Sequence, residues 1–507
     1  MRVLIFHGYL LRGTGSNVYN ASLAQALARL GHEVHLFCQD RRADERPWVG
    51  TASGSGGSVT VHVPDIGGLL PVYVPDRYEG FEVRTFPELT DDELAAYLDA
   101  NVGAVRGVVA ALDGVDAALA NHLVMGPVIL ARAGLEFAAK IHGSALEYTV
   151  KRHPERFLPY ARDGMEAARG VLVGSRHTAE SLWAALDDPD LPAKTRLGPP
   201  GVDTNLFSPL PRGAEATKRL TEFAAELRLG GEGAATGPAA PSGWERDVNR
   251  AADAIENFAT AAGPRVVIVS KLIVSKGVDL LLAAWPLVHR ANPGARLLVV
   301  GFGEYADGLE RLWGALSTGE LDGAREIAAR GWALEGGEER PLRMLGSFLA
   351  DPPAGFGAAA LEAAGSVAFT GRLEHEEVGR LVPAADALVF PSTFPEAFGM
   401  VAAEAAAAGV LPVSAAHSGA AEVSGTLVEA LPAAARELVS FPLDERAVEA
   451  VATRLNAWLT LEEPVRERAR AALVDTAART WSWEGVAHGV IAASSGRLDE
   501  LPPVPDD

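Results

Sequence analysis

The chain predicts two doubly wound α/β domains in tandem. Three observations carry that expectation. Short apolar runs alternate with helical patterns from residue 3 to residue 198, the same alternation restarts after residue 264, and the stretch between, 199–211, is rich in proline. Alternation of this kind calls for parallel sheets with helices on both faces. A chain of 507 residues is long enough to bury a core in each of two domains.

Residues 3–6 read as the first strand. A glycine-containing loop, 8–16, leads into a helix with Leu23, Leu27 and Leu30 on one face, closed by Gly31. The second strand is 34–37. Further strands are expected at 117–121, 137–142, 171–174 and 195–198, with helices at 91–112, 125–134, 155–168 and 177–186. In the second half the series is strand 265–271, helix 277–290, and strands 295–301, 367–370, 387–390 and 411–415. The domains are therefore drawn at 1–205 and 265–477. Residues 206–264 form a linker and insertion, read as helix, flexible linker around GGEGAATGPAAPSG, and helix. A second insertion spans about 304–366. Both exceed the usual connection in such folds. Residues 481–494 read as an aromatic-led helix, and 497–507 as a tail whose polar, proline-containing end is expected to be disordered. In doubly wound sheets the carboxyl ends of the strands carry the binding loops, so a cleft between the two domains is expected to hold the site.

Composition removes several classes. Hydrophobic content of 48% and charged content of 22% are those of a globular protein. A net charge of −21 argues against a nucleic-acid partner, while leaving a few local cations to meet an anionic substrate. Cys38 is the only cysteine, so no internal disulfide or cysteine metal site is possible, and HEVHLFCQ places it as a buried strand thiol. Met1 leads directly into RVLIF. No leader and no membrane span are expected, and the expected setting is cytoplasmic, with peripheral membrane contact left open.

The most informative stretch is PSTFPEAFGMVAAEAAAAG, residues 391–409. Pro391, Ser392 and Pro395 stop the apolar run 387–390, Gly399 lets the backbone turn, and an Ala-rich helix follows. One carboxylate, Glu396, falls in the loop and another, Glu404, in the helix. A helix N-terminus offers free N–H groups and partial positive charge to a phosphate. Two acceptor-only carboxylates at this spacing suit hydroxyls at the two ends of a nucleotide sugar. Solvated glutamates are the plain alternative, and the strand–proline–loop–glycine–helix setting weighs against it.

Other residues fit the same chemistry. In VVIVSKLIVSKGVDLL, Lys271 ends a strand and Lys276 opens the next helix. Two fixed cations there would stabilise a departing nucleoside diphosphate more in the transition state than in the ground state. His142 and Gly143 end the strand FAAKIHG, and a histidine at a parallel-strand tip faces the binding side rather than the core. His122, in ALANH, has the same placement and serves either an acceptor or the strand end. Asp188-Pro-Asp190 only superficially resembles a metal-binding pair, because proline makes a turn there. No metal and no cofactor are assigned.

The pattern P-S-x-x-x-E-x-F-G-x-x-x-x-E-A-x-x-x-G, with Pro391, Ser392, Glu396, Phe398, Gly399, Glu404, Ala405 and Gly409, resembles the E-x7-E signature of glycosyltransferase family 4. These are retaining enzymes of the GT-B fold, two Rossmann-like domains facing across a cleft. The resemblance implies that Glu396 lies against the donor sugar and Glu404 binds the ribose hydroxyls, with Phe398, Gly399 and Met400 on the donor side. The lysine stretch is similar to the family's G-R-x-x-x-x-K-G, with Ser270 for the glycine and Lys271 for the arginine; lysine keeps the charge and loses the bidentate fork. HGSALEY resembles the loop whose histidine, here His142, bonds the donor sugar. Gly13 and Gly15 in GYLLRGTGS match the first loop. Gly371, Arg372 and Leu373 match the loop against the base, and Gly301 and Gly303 the turn near the phosphates. Glu422 stands in the family's G-G-x-x-E position, where His417 and Ser418 precede Gly419 and one glycine is missing. WSWEGVA resembles the last helix, which implies that 478–496 crosses back to the first domain.

The resemblance covers roughly 1–205 and 265–494. It implies a metal-independent, retaining hexosyltransferase that moves a sugar from a nucleotide-sugar donor to a hydroxyl acceptor. The rivals are a GT-B sugar phosphorylase or nucleotide-sugar epimerase, and a non-catalytic nucleotide-sugar-binding protein. A dehydrogenase fits less well, since neither domain's first strand is followed by a dinucleotide fingerprint.

Overall fold

The computed structural model describes residues 1–13, 15–50, 56–78, 80–231 and 246–505. The chain forms two compact units. The first comprises Met1–Gly201, Glu396–Phe398 and Trp481–Asp507, and the second Val202–Pro395 and Gly399–Thr480.

Strands β1 (Arg2–Phe6), β2 (Glu33–Phe37), β3 (Ser58–His62), β4 (Leu69–Val72), β5 (Glu82–Thr85), β6 (Ala117–Asn121), β7 (Ala138–Ile141), β8 (Gly170–Val173) and β9 (Thr195–Leu197) belong to the first unit. Seven of them form one parallel sheet in the order β3-β2-β1-β6-β7-β8-β9, and β4 pairs with β5 apart from it. The order reverses between β1 and β6, which puts the loops after Phe6 and Asn121 side by side at a switch point. The central strands are buried on both faces, so their side chains divide between two cores. Leu4 and Phe6 pack on one side with Leu98, Val102 and Val128. Val3 and Ile5 pack on the other with Leu23, Leu27, Trp483 and Val490. The helix Trp483–Ser494 thus completes the core that holds Val3 and Ile5, starting at Ser482, whose hydroxyl accepts from Gly485 N at 3.1 Å. The helix Asp91–Ala111 is long and apolar enough to cross a membrane by composition, but it turns Leu94, Leu98, Val102 and Val105 into the core of Leu4 and Phe6.

The second unit carries β10 (Arg265–Val269), β11 (Arg296–Val300), β12 (Val367–Gly371), β13 (Ala387–Phe390), β14 (Leu411–Ala415) and β15 (Ser440–Phe441). Its parallel sheet runs β12-β11-β10-β13-β14-β15, the Rossmann order, with its switch point between β10 and β13.

Several expectations need correction. Strand β3 and the pair β4–β5 were not foreseen, because their short apolar content is broken by Gly, Ser and Pro. The helices expected within 206–264 exist, at Ala214–Gly231 and Val248–Ala259, but they belong to the second unit rather than to a free-standing linker. Arg228 bridges to Asp253 and Glu256 between them. The flexible linker expected between the helices lies largely outside the described residues. Residues 501–505 are not a loose tail. Leu197 N donates to Pro502 O at 3.1 Å, Arg196 pairs with Pro503, and Leu501 and Val504 pack on the cores. The apolar spacing of Leu498, Leu501 and Val504 anchors them. Finally, Glu396–Phe398 groups with the first unit, not with the donor domain drawn at 265–477. Thr178 Oγ1 donates to Ala397 O at 3.3 Å, and Gly174 leaves room for that carbonyl, since a Cβ there would stand 2.6 Å from it.

Candidate active site

In the second unit the loops after β10, β11, β12 and β13 are joined at their carboxyl ends. The lysine loop is held from both sides. On one side Leu272 N donates to Phe302 O at 2.7 Å, and Tyr305 N donates to Leu272 O at 3.0 Å. Gly301 and Gly303 permit this approach: a Cβ would lie 1.9 Å from Ser270 O in the first case and 2.4 Å from Leu272 O in the second. On the other side Thr393 N donates to Ser275 O at 2.8 Å, and Ser392 Oγ to the same carbonyl at 3.2 Å. Gly277 sits at φ 64 with Pro391 O where a Cβ would be, 2.1 Å away. Lys271 and Lys276 are therefore carried on a loop locked against the start of the glutamate motif. The loop after β14 joins as well, His417 Nε2 donating to Ser392 O at 2.7 Å.

Arg372 and Leu373 follow β12. The Arg372 guanidinium lies 5.1 Å from the Phe302 ring centre and pairs with Glu374 at 3.2 Å. Gly301 N donates to Gly371 O, bringing the two expected glycine turns together. Gly399, at φ 122, ends the loop, and the helix Met400–Ala407 begins there. Glu404 is buried on that helix. Its Oε1 accepts from His375 Nε2 at 2.8 Å. His375 was not foreseen; its one sequence signal is its place just beyond the G-R-L loop. Burial pulls the His375 imidazole down, but the Glu404 charge and hydrogen bond, with Glu376 and Asp203 adding, outweigh it and raise it above its ordinary value. Glu422 lies in the helix Ser418–Ala430.

In the first unit the switch point gathers an imidazole cluster, with His7 and His122 buried and His142 half-buried. His142 follows β7 and donates from Nε2 to Asn121 Oδ1 at 2.8 Å, while Asn121 Nδ2 donates to Phe6 O at 3.1 Å. The His142 ring centre is 4.9 Å from that of His122 and 5.0 Å from that of Tyr19. His7, just past β1, accepts at Nδ1 from Asn20 and donates from Nε2 to Asn17 Oδ1 at 2.9 Å. These two asparagines fix its tautomer. Burial draws His7 down to about 4 and holds His122 and His142 well below their ordinary value, each further lowered by neighbouring imidazoles in the latter two. All three rings are thus neutral, and those of His7 and His142 are hydrogen-bonded. His122 is itself buried, at φ 69, and among the described residues neither ring nitrogen has a hydrogen-bond partner. Gly143, at φ 87, lies against Ala397. Gly13 has φ 93 and Gly15 opens the helix Gly15–Arg29. His7, Asn17 and Asn20 were missed; the Asn pair at i, i+3 facing a strand-end histidine was the available signal. Cys38 is buried as expected, its thiol pushed up to about 12 by burial. At Asp188-Pro-Asp190 the first carboxylate accepts from Asp190 N at 3.0 Å, a turn contact.

Two Rossmann-type sheets with binding loops at their switch points define a GT-B architecture. The comparisons with known proteins agree. The family Glycosyltransferase Family 4 matches residues 13–206, and Glycosyl transferases group 1 matches 356–472. The chain is 26% identical over 497 residues to a D-inositol 3-phosphate glycosyltransferase of Segniliparus rotundus, covering 96% of this chain and 85% of that protein. It is 26% identical over 207 residues to a GDP-mannose-dependent alpha-(1-6)-phosphatidylinositol monomannoside mannosyltransferase of Mycolicibacterium smegmatis, 40% of this chain and 42% of that one. Among solved structures, Anabaena HepE in complex with UDP and glucose matches with a TM-score of 0.56 at 17% identity, over 99% of this chain and 100% of that one. A glycosyltransferase of Rickettsia africae matches with a TM-score of 0.56 at 12% identity, over 98% of each chain. The chain belongs to the family 4-type glycosyltransferases of the GT-B fold.

Proposed function

We propose that this glycosyltransferase moves a sugar from a nucleotide-sugar donor to a hydroxyl acceptor with retention of configuration and without a metal. The observation that carries the reading is the joining of the lysine loop to Pro391–Thr393 at the switch point of the second sheet, with Glu404 buried one helix turn beyond Gly399. A nucleoside diphosphate gains negative charge as its sugar bond breaks, and Lys271 and Lys276 answer that charge where it grows. Glu404 takes the ribose hydroxyls, positioned by His375. Arg372 and Leu373, with the turn at Gly301, serve the base and phosphates, as Phe398, Gly399 and Met400 do on the donor side. Glu396 and His142 are assigned to the donor sugar, and Gly13 and Gly15 to the first loop's anion contacts. His142 is neutral and gives its one proton to Asn121, so toward the sugar its Nδ1 accepts a hydrogen bond and it places no charge beside a developing oxocarbenium ion. The leaving phosphate takes the acceptor proton on the same face of the sugar, and no side chain need be a strong base.

The names of similar proteins point the same way: one is named GDP-mannose-dependent, and HepE is described in complex with UDP and glucose. The test is incubation with UDP-, GDP- and ADP-sugars and polyol acceptors, following release of nucleoside diphosphate with and without EDTA. Proton NMR of the product reads its anomeric configuration. The reading expects a retained configuration and EDTA-resistant turnover. An inverted product, or turnover lost to EDTA and restored by magnesium or manganese, overturns the respective half of it.

A further inference from the structure

The insertion about 304–366 returns to the lysine loop. It contains the helices Ala306–Leu316, Asp322–Arg330, Arg343–Ala350 and Phe356–Glu362, and a turn at Trp332–Glu335. That turn is rigidly held. Trp332 N donates to Arg340 O at 3.0 Å, Leu334 N to Gly331 O at 3.0 Å, and Gly331 and Arg340 form a bridge. Gly331 has φ 50, and a Cβ on it would stand 1.9 Å from Arg340 O. The Arg340 guanidinium covers the Trp332 ring, 4.0 Å from its centre. Leu334 is buried near Gly308, which fixes the turn on the helix Ala306–Leu316. From its end Glu335 reaches out of the insertion, and its Oε2 accepts from Val274 N at 2.7 Å. Val274 lies between Lys271 and Lys276.

We propose that Glu335 is a positioning residue for the reaction: it pins the centre of the lysine loop, so that the insertion sets where Lys271 and Lys276 present their charges. The contact is a charge-assisted hydrogen bond from a backbone donor, a strong kind. It is also half-buried. Burial raises the Glu335 carboxyl above its ordinary value, against the pull of the Val274 N–H and of the Arg340 and Lys271 charges. A carboxylate kept in such a place and bonded to a loop's backbone holds that backbone, where a merely solvated one would not. Within the loop Lys276 N donates to Ile273 O and Gly277 N to Val274 O, while the contacts from neighbouring segments at Leu272 and Ser275 lie on either side of the Val274 N–H that Glu335 accepts. The inference rests on the reading of the lysines as the diphosphate's partners.

Three variants separate hydrogen bond from charge. Glu335→Gln keeps an acceptor at the same reach without charge, Glu335→Asp keeps charge and withdraws the acceptor by one methylene, and Glu335→Ala removes both. Amide hydrogen exchange across 271–277 and steady-state kinetics are measured on the full chain, with Lys276→Ala alongside. The expected result is exchange at least about tenfold faster in the Asp and Ala variants, with kcat reduced about tenfold, donor KM changed less, and near wild-type behaviour in Gln. If Asp and Ala exchange and turn over as wild type does, the proposal is overturned. If Ala does not fold, the contrast between Gln and Asp decides. If exchange responds as expected while Lys276→Ala turns over normally, the pinning contact stands and the lysine reading falls.

Discussion

His375 Nε2 donates to Glu404 Oε1 at 2.8 Å, so the buried carboxylate of the E-x7-E motif meets an imidazole that opens the helix after the third strand of its sheet. The pair joins two parts of the motif map that the sequence left separate. It also makes Glu404 a held group rather than a free one, oriented before any donor arrives.

That pair predicts a pH dependence of stability. His375 is raised above its ordinary 6.5, so the native state binds its proton more tightly than the unfolded chain does. The stabilisation is therefore fully present below 6.5 and is lost as pH rises through the raised value. His375→Gln retains a donor to Glu404 and loses the titration. Denaturant unfolding from about pH 6 to about pH 9 should show wild type losing more stability than His375→Gln over that range. Equal slopes would mean that the pair carries no coupling.

Lys140 gives the opposite sign. It is buried in β7, donates from Nζ to Gly198 O at 2.6 Å, and burial lowers it from 10.5 to about 7. The unfolded chain binds its proton more tightly, so stability rises with pH between those values. A shift from 10.5 to about 7 corresponds to roughly 5 kcal/mol below pH 7, against about 1–3 kcal/mol for leaving the Gly198 carbonyl unpaired. Lys140→Met should be more stable than wild type near pH 6 and less stable near pH 10. A variant less stable at both ends would show that the hydrogen bond outweighs the buried charge.

Gly277→Ala tests the locking of the lysine loop. The new Cβ would meet Pro391 O at 2.1 Å in a positive-φ conformation, so the loop must move. Turnover should fall at least about tenfold while the far-ultraviolet circular dichroism stays native. Unchanged kcat with an unchanged melting temperature would show that the loop tolerates displacement.

Much of this was legible in the sequence, for physical reasons that differ by element. Buried parallel strands such as β1, β10 and β13 are short apolar runs, closed by His-Gly, Ser-Lys and Pro respectively, and the chain announces them. The glutamate motif and the lysine stretch were visible because strand, turn and helix signals coincide with charge. Strand β3 was not, because SVTVH has only two apolar residues and its neighbours supply the rest of its burial. His375, His7 and Glu335 were not, because each acts across the fold: a lone histidine or glutamate acquires meaning only once Glu404, Asn17 or Val274 is beside it. The place of Glu396–Phe398 was missed for the same reason, since Gly143 and Gly174 make room for Ala397 only in three dimensions.

The central claim, that Lys276 answers charge developing on a departing nucleoside diphosphate, is tested most directly by steady-state kinetics of Lys276→Ala with the donor that the wild type turns over. Stabilisation that grows toward the transition state belongs in kcat, so the expected result is a kcat lower by roughly 10² or more with a smaller change in donor KM. A kcat near that of the wild type would contradict the claim.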